Sequence, residues 1–224
     1  MYRSISEKIV NIKFINKNLF YLELSNTNDI EFDPGHCFSI KIPKVNINRE
    51  YSICSIKSDN CLLFLIRRIE GGLFTNYLLE NLNIGDTLQV NGPYGEFYFP
   101  MYNSKNNLFE RYFLISTGTG IAPYISYLKK YPNLSDKSFL LHGVRYLEDI
   151  LKEYIKNPNY SPCISQEKSE YYYGRVSDYI IQKEINNNDC FYLCGNRMMI
   201  SEFYDILVEN KKISPNNIIS ETFF

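Results

Sequence analysis

Four short runs in this 224-residue chain combine residue types and spacings that can do chemistry. Arg49-Glu50-Tyr51-Ser52 offers a guanidinium that can form two charge-assisted hydrogen bonds to a phosphate, a ring that can lie against a flat heterocycle, and a hydroxyl. The same four residues also fit the start of an ordinary strand with alternating exposure. Gly71-Gly72-Leu73-Phe74-Thr75 opens a helix, where unpaired N–H groups and the absence of side chains let an anion approach and Thr75 adds a hydroxyl. A turn followed by a Thr cap fits that run equally well. Thr117-Gly118-Thr119-Gly120-Ile121-Ala122-Pro123 stands between an apolar strand and a helix, where a dinucleotide-binding turn belongs. Pro123 replaces the last glycine of G-x-G-x-x-G and suits a first helical turn. Cys194-Gly195-Asn196-Arg197-Met198-Met199 follows a strand, at the end where open parallel sheets bind ligands.

The elements that must position these runs change character along the chain. Residues 1 to about 100 read as short strands: Lys8–Phe14, Leu19–Leu24, Cys37–Ile42, Tyr51–Cys54, Leu62–Ile69 and Thr87–Val90. One helix is predicted at Leu73–Leu82, and many strands around one helix predict a small antiparallel β-barrel. Beyond the polar stretch Asn103–Asn107, strands alternate with helices. Strands are predicted at Tyr112–Ser116, Ser138–Leu141, Tyr160–Ser165, Cys190–Cys194 and Ile218–Thr222, and helices at Pro123–Lys130, Leu147–Ile155, Val176–Glu184 and Met198–Asn210. That alternation predicts an α/β domain with a five-stranded parallel sheet and helices on both faces. The expected division is 1–104 and 105–224.

Composition narrows the function classes. With 24 basic against 25 acidic residues the net charge is −1, which gives nucleic acid no electrostatic footprint. The longest apolar runs, such as Cys61–Ile66, fall far short of the roughly 20 residues a membrane span needs. The first eight residues are polar and lack an apolar signal core, so an unexported, cytoplasmic protein is expected. The six cysteines form no C-x-x-C pair and no iron–sulfur or zinc spacing, so no metal site and reduced thiols are expected.

In this order, the four runs resemble the ferredoxin–NADP(+) reductase superfamily over nearly the whole chain. The resemblance implies an N-terminal FAD-binding barrel and a C-terminal domain binding NADP(H) or NAD(H), with hydride exchange between nicotinamide C4 and flavin N5. It implies that Arg49 holds the FAD pyrophosphate, that Tyr51 packs on the isoalloxazine and that Ser52 bonds near N5. Gly71 and Gly72 through Thr75 are similar to the family's phosphate turn, and Gly92-Pro93-Tyr94-Gly95-Glu96-Phe97 to its barrel-closing segment. Thr117, Gly118, Thr119, Gly120 and Pro123 are similar to its nicotinamide-nucleotide pyrophosphate loop, while Cys194, Gly195 and Met199 place the cysteine beside the nicotinamide. Glu221-Thr222-Phe223-Phe224 resembles the acidic-x-aromatic ending, in which Phe223 covers the flavin and Glu221 relays a proton through Ser52. Ser52, Cys194 and Glu221 are thus the expected catalytic residues.

For a 2′-phosphate, His142-Gly143-Val144-Arg145 and Ser165-Gln166-Glu167 stand where the family supplies contacts, and Arg175 follows. Gln166 departs from the Arg common in NADP-preferring members, and NADP(H) is the expected nucleotide on Arg145 and Arg175. A separate ferredoxin or flavodoxin is the expected partner, because the chain has no cysteine cluster of its own for an iron–sulfur centre. An NAD(P)H:flavin reductase or oxygenase reductase component would share all four runs. A non-catalytic nucleotide-binding module is the alternative of a different class.

Overall fold

The computed structural model describes residues 4–99 and 109–223. The chain forms two compact units, one of residues 1–98 with 122–130, the other of residues 99–121 with 131–224. The expected division at 104 falls outside the described residues.

The first unit is built on six strands, β1 (Ile5–Asn16), β2 (Leu19–Ser25), β3 (Cys37–Ile42), β4 (Ile47–Ser52), β5 (Cys61–Arg67) and β6 (Thr87–Tyr94), in the order β4-β3-β6-β1-β2-β5. All pairings are antiparallel. β1 is long because it serves two neighbours: its first residues pair with β6 and the rest with β2. Just past β4, Ile53 bridges Phe64 and the Cys54 N–H donates to the Leu63 carbonyl at 2.8 Å, closing the sheet into the expected barrel. Inward residues such as Phe20, Leu22, Phe38, Ile40, Phe64 and Val90 fill it. The helix α1 (Leu73–Asn81) buries Phe74 and Leu78 in that core.

β4 begins earlier than its apolar residues predict, since the exposed run Asn48-Arg49-Glu50 carries no hydrophobic period yet pairs fully with β3. Glu7 is buried in β1, where its carboxylate accepts hydrogen bonds from Ser25, Thr27 and Asn28. Burial raises its pKa, but these hydrogen bonds outweigh it and leave the carboxyl below its ordinary value.

A second helix, α2 (Ala122–Lys130), also belongs to the first unit although it follows the first strand of the other half in sequence. Its Tyr124 ring lies 6.2 Å from Phe97, Lys129 Nζ lies 2.5 Å from Asp59 Oδ1, and Lys130 pairs with Asp33.

The second unit is a parallel sheet of β7 (Arg111–Thr117), β8 (Ser138–Val144), β9 (Tyr160–Ile164), β10 (Tyr172–Tyr173), β11 (Asp189–Asn196) and β12 (Ile218–Phe223), in the order β10-β9-β8-β7-β11-β12. Five of these are the expected strands. β10 is a sixth, too short at two residues to leave a periodicity. Helices α3 (Val176–Ile181) and α4 (Arg197–Asp205) cover one face, burying Val176, Ile180, Met199 and Phe203 with Phe113, Leu141, Phe191 and Leu193. α4 runs on as a π-helical turn over Ile206–Asn210, together matching the predicted helix there.

The predicted helix over Leu147–Ile155 does not form. Only a 3₁₀ turn, Leu147–Asp149, is present. The apolar spacing suits a helix, but a tertiary partner takes the amide that would close its first turn: the Leu151 N–H donates to the Tyr160 hydroxyl at 3.2 Å. The sheet is anchored at its opposite end by Arg111, whose guanidinium makes two bonds of 2.7–2.8 Å to the fully buried Asp189 carboxylate.

Candidate functional site

In the first unit, the strand run and the helix start expected to bind a phosphate are neighbours. α1 packs against β4, and the Tyr51 ring lies 5.6 Å from Phe74. Along β4, Arg49 is exposed and its guanidinium donates only within its own strand, to the Asn48 carbonyl at 2.7 Å, so it keeps donors for an external acceptor. Tyr51 is half-buried, and burial pushes its phenol above the ordinary value against the pull of Arg49, so the ring stays neutral. Ser52 is buried beside Cys37 of β3.

Gly72 is the N-cap of α1 and supplies no capping side chain. Thr75 is not the cap. Its hydroxyl, at the third helical position, accepts from the Ile69 N–H at 3.5 Å and leaves the first-turn amides of Leu73, Phe74 and Thr75 without an intrahelical acceptor. A helix start without a side-chain cap, packed against the strand that carries an exposed arginine and a half-buried ring, has the chemistry that could hold the phosphates and ring system of a flavin nucleotide. Phe74 contributes only its amide there, because its side chain is in the core.

In the second unit, the strand order reverses between β7 and β11, and ligands bind outside the carboxyl ends of strands at such a switch point. Both remaining runs meet there. Gly118–Ile121 forms a 3₁₀ turn after β7, and Cys194-Gly195 ends β11. The two interlock. A Cβ on Gly120 would sit 2.4 Å from the Cys194 carbonyl oxygen, one on Gly195 would sit 2.5 Å from Thr117 Oγ1, and that hydroxyl accepts the Asn196 N–H at 3.1 Å. Gly120 and Gly195 therefore let two backbones touch. Gly118 differs, since nothing lies within 4 Å of where its Cβ would be, which leaves open space for a phosphate. Thr119 lies within the same turn, and Pro123 is the second residue of α2, where its missing N–H costs nothing.

Cys194 and Glu221 are register partners on adjacent strands. Burial, with Glu221 adding to it, pushes the Cys194 thiol well above its ordinary range, so it stays protonated and does not act as a thiolate. Glu221 Oε2 is buried without a hydrogen-bond partner among the described residues, and burial pushes its carboxyl up to about 7. Of this pair, Glu221 is the group that changes protonation near neutrality. Phe223 is half-buried opposite Asn196, while Phe224 lies outside the described residues.

The remaining expected residues scatter. Arg145 and Ser165 follow β8 and β9 side by side, linked by the Gln166 N–H to the Arg145 carbonyl and the Ser165 N–H to the Val144 carbonyl, and Arg175 is exposed as the N-cap of α3. Met199 is packed in the core with Phe203 and Leu193, so its side chain is not brought to the strand ends. His142 is buried at 1% exposure, away from any 2′-phosphate, and bonds the Gly118 carbonyl and Tyr160. Sequence reading missed Tyr160 and the Thr117 lock. A threonine before the first glycine is their only trace in the motif.

A barrel with a flavin-phosphate cradle and a parallel sheet with a nucleotide turn define a two-domain oxidoreductase. Residues 7–99 match the oxidoreductase FAD-binding domain and residues 114–204 the oxidoreductase NAD-binding domain. The chain is 30% identical to the flavodoxin/ferredoxin–NADP reductase of Buchnera aphidicola subsp. Baizongia pistaciae, covering 98% of each chain. It is 29% identical to the toluate 1,2-dioxygenase electron transfer component of Pseudomonas putida, over 96% of this chain and 66% of that protein. Two other relatives are likewise longer, the chain spanning 61 and 62% of their length. Its fold is that of a ferredoxin–NADP+ reductase from Neisseria gonorrhoeae solved with FAD and NADP, at a TM-score of 0.83, 19% identity and 99% coverage of both chains. The chain belongs to the ferredoxin–NADP reductase family. Among the described residues, no helix is long and apolar enough to cross a membrane.

Proposed function

We propose that this chain moves electrons between NADP(H) and a separate one-electron carrier protein such as a ferredoxin or flavodoxin, using FAD. The carrying observation is the uncapped helix start beside Arg49 and Tyr51 in one unit, combined with the open Gly118 turn at the sheet's switch point in the other. In the proposed division, residues 1–104 bind FAD and residues 105–224 bind the nucleotide. Bound FAD would supply the redox chemistry, exchanging a hydride with the nicotinamide and electrons with the carrier.

The chain's own residues bind and orient. Arg49 and the amides of Gly72 through Thr75 hold the FAD phosphates, Tyr51 packs on the ring system, and Ser52 bonds near N5. Thr117 through Gly120 and Pro123 shape the nucleotide turn. Gly195, with Met199 buttressing α4 behind it, holds Cys194 at the nicotinamide as a neutral thiol. Glu221 holds the exchangeable proton, and Phe223 would supply the covering aromatic ring. Arg145 and Arg175, with the half-buried Ser165 beside Arg145, receive the 2′-phosphate, the exposure of the two arginines supporting the preference for NADP(H). Work in the cytoplasm is part of the proposal, in keeping with six cysteines whose spacing forms no C-x-x-C pair.

Ser52→Ala tests the site directly: FAD should remain bound through gel filtration while nucleotide-driven ferricyanide reduction slows at least tenfold. An unchanged rate removes the role given to Ser52. A second reading, the reductase component of an oxygenase, is favoured by the 29% identity to the toluate dioxygenase component. Assaying reduction of a flavodoxin and a ferredoxin against an oxygenase's own carrier separates the two. A protein that sheds FAD on the column and reduces only free flavin is instead a flavin reductase.

A further inference from the structure

His142 is a buried histidine on β8 whose two ring nitrogens both have partners. Nε2 lies 2.9 Å from the Gly118 carbonyl oxygen, and Nδ1 lies 2.9 Å from the Tyr160 hydroxyl. For the neutral ring, partner chemistry assigns the protons. A carbonyl only accepts, so Nε2 carries the hydrogen and donates to Gly118. Nδ1 is then an acceptor, the Tyr160 O–H donates to it, and the Tyr160 oxygen in turn accepts the Leu151 N–H at 3.2 Å. The chain of bonds runs in one direction, from the Leu151 amide to the Gly118 carbonyl, each polarising the next.

The consequence lies on the far side of that carbonyl. A trans peptide is planar, and its C=O and the following N–H point in opposite directions. Holding the Gly118 carbonyl on the buried ring therefore turns the Thr119 N–H the other way, on the turn whose first glycine faces open space. The 3₁₀ turn already holds the Gly118–Thr119 peptide in place, but Gly118 with φ +54° accepts many conformations, and the bond to the ring narrows them to one.

We propose that His142, fixed in one tautomer by Tyr160, is the positioning residue that aims the Thr119 N–H at the pyrophosphate of the nicotinamide nucleotide. This rests on the nucleotide reading of the Thr117–Gly120 turn. His142 is buried behind the turn, so its expected effect is on binding. Losing one aimed amide should raise the KM for the nucleotide roughly tenfold, with kcat at saturation within about twofold of the parent. FAD retention should not change. His142→Gln, which offers an amide N–H near the position of Nε2, should recover most of the parent KM, while Tyr160→Phe should give a smaller rise in the same direction.

The experiment measures KM and kcat for NADPH and NADH, with ferricyanide as acceptor, for FAD-loaded parent, His142→Ala, His142→Gln and Tyr160→Phe. A raised KM, preserved kcat and rescue by Gln support the proposal. A KM equal to the parent's in His142→Ala overturns it, as does a fall in kcat alone or a Gln variant no better than Ala. If His142→Ala does not fold, Tyr160→Phe against the parent decides, and an unchanged KM there overturns the proposal. A parent that oxidises neither nucleotide sinks the functional reading itself, a result visible before any variant is made.

Discussion

The two candidate phosphate turns solve one problem in opposite ways. At Gly71–Thr75 the helix start is shaped locally: a glycine N-cap, no capping side chain and Thr75 turned back to Ile69 leave the amides facing outward. At Thr117–Ile121 the turn is shaped from behind, by the Cys194 carbonyl pressed on Gly120, the Asn196 amide on Thr117 and the His142 ring on Gly118. A local turn tolerates change elsewhere in its unit, whereas a turn built on tertiary contacts is as sound as the sheet that holds it. The variants that break this contrast can be ranked by expected effect.

The largest is Arg111→Ala, at the far end of the sheet, which leaves the buried Asp189 carboxylate unpaired and should cost the second unit about 3–5 kcal/mol. Denaturant unfolding followed by amide exchange should show the loss confined to residues of β7 and β11, with FAD affinity unchanged. Equal loss of protection in β1 to β6 would mean that the units unfold as one. Next is Arg49→Ala, which removes charge-assisted bonds worth about 1.5–3 kcal/mol and should weaken FAD binding roughly 10–100-fold while leaving stability near the parent's. FAD titration by fluorescence quenching checks it.

Gly120→Ala forces a methyl group into the Cys194 carbonyl and should destabilise by about 1–3 kcal/mol. It should also raise the nucleotide KM with FAD affinity intact. Loss of FAD instead would break the contrast. The smallest effect belongs to Glu221. Its folded pKa of about 7 lies above the ordinary carboxyl value of 4.5, so between those values the folded protein keeps a proton that the unfolded chain releases. Stability should therefore fall as pH rises through that window, and Glu221→Gln should flatten that part of a denaturation midpoint-against-pH curve. A variant with the parent's slope would show that another group titrates there.

The contrast also explains what could be read from the chain before its structure. The barrel-plus-parallel-sheet architecture was legible because strand and helix periods change cleanly after residue 100, and Gly71-Gly72 and Thr117–Pro123 sit at strand-to-helix junctions. Local signals carried the first turn almost entirely. What stood hidden depended on partners distant in sequence. The expected helix over Leu147–Ile155 lost the Leu151 amide to Tyr160, Met199 went to the core rather than the strand ends, and His142 proved a buried strut instead of an exposed phosphate contact. β10 and the early start of β4 were missed because two residues, or a polar exposed run, leave no hydrophobic period.

The central claim is that the first unit holds a flavin that nucleotide bound to the second unit reduces. The FAD-loaded protein should be mixed anaerobically with NADPH and, separately, with NADH while the visible flavin band is followed. Rapid bleaching, faster with NADPH, is the expected result. A protein that takes up no FAD, or whose bound flavin keeps its colour with both nucleotides, contradicts it.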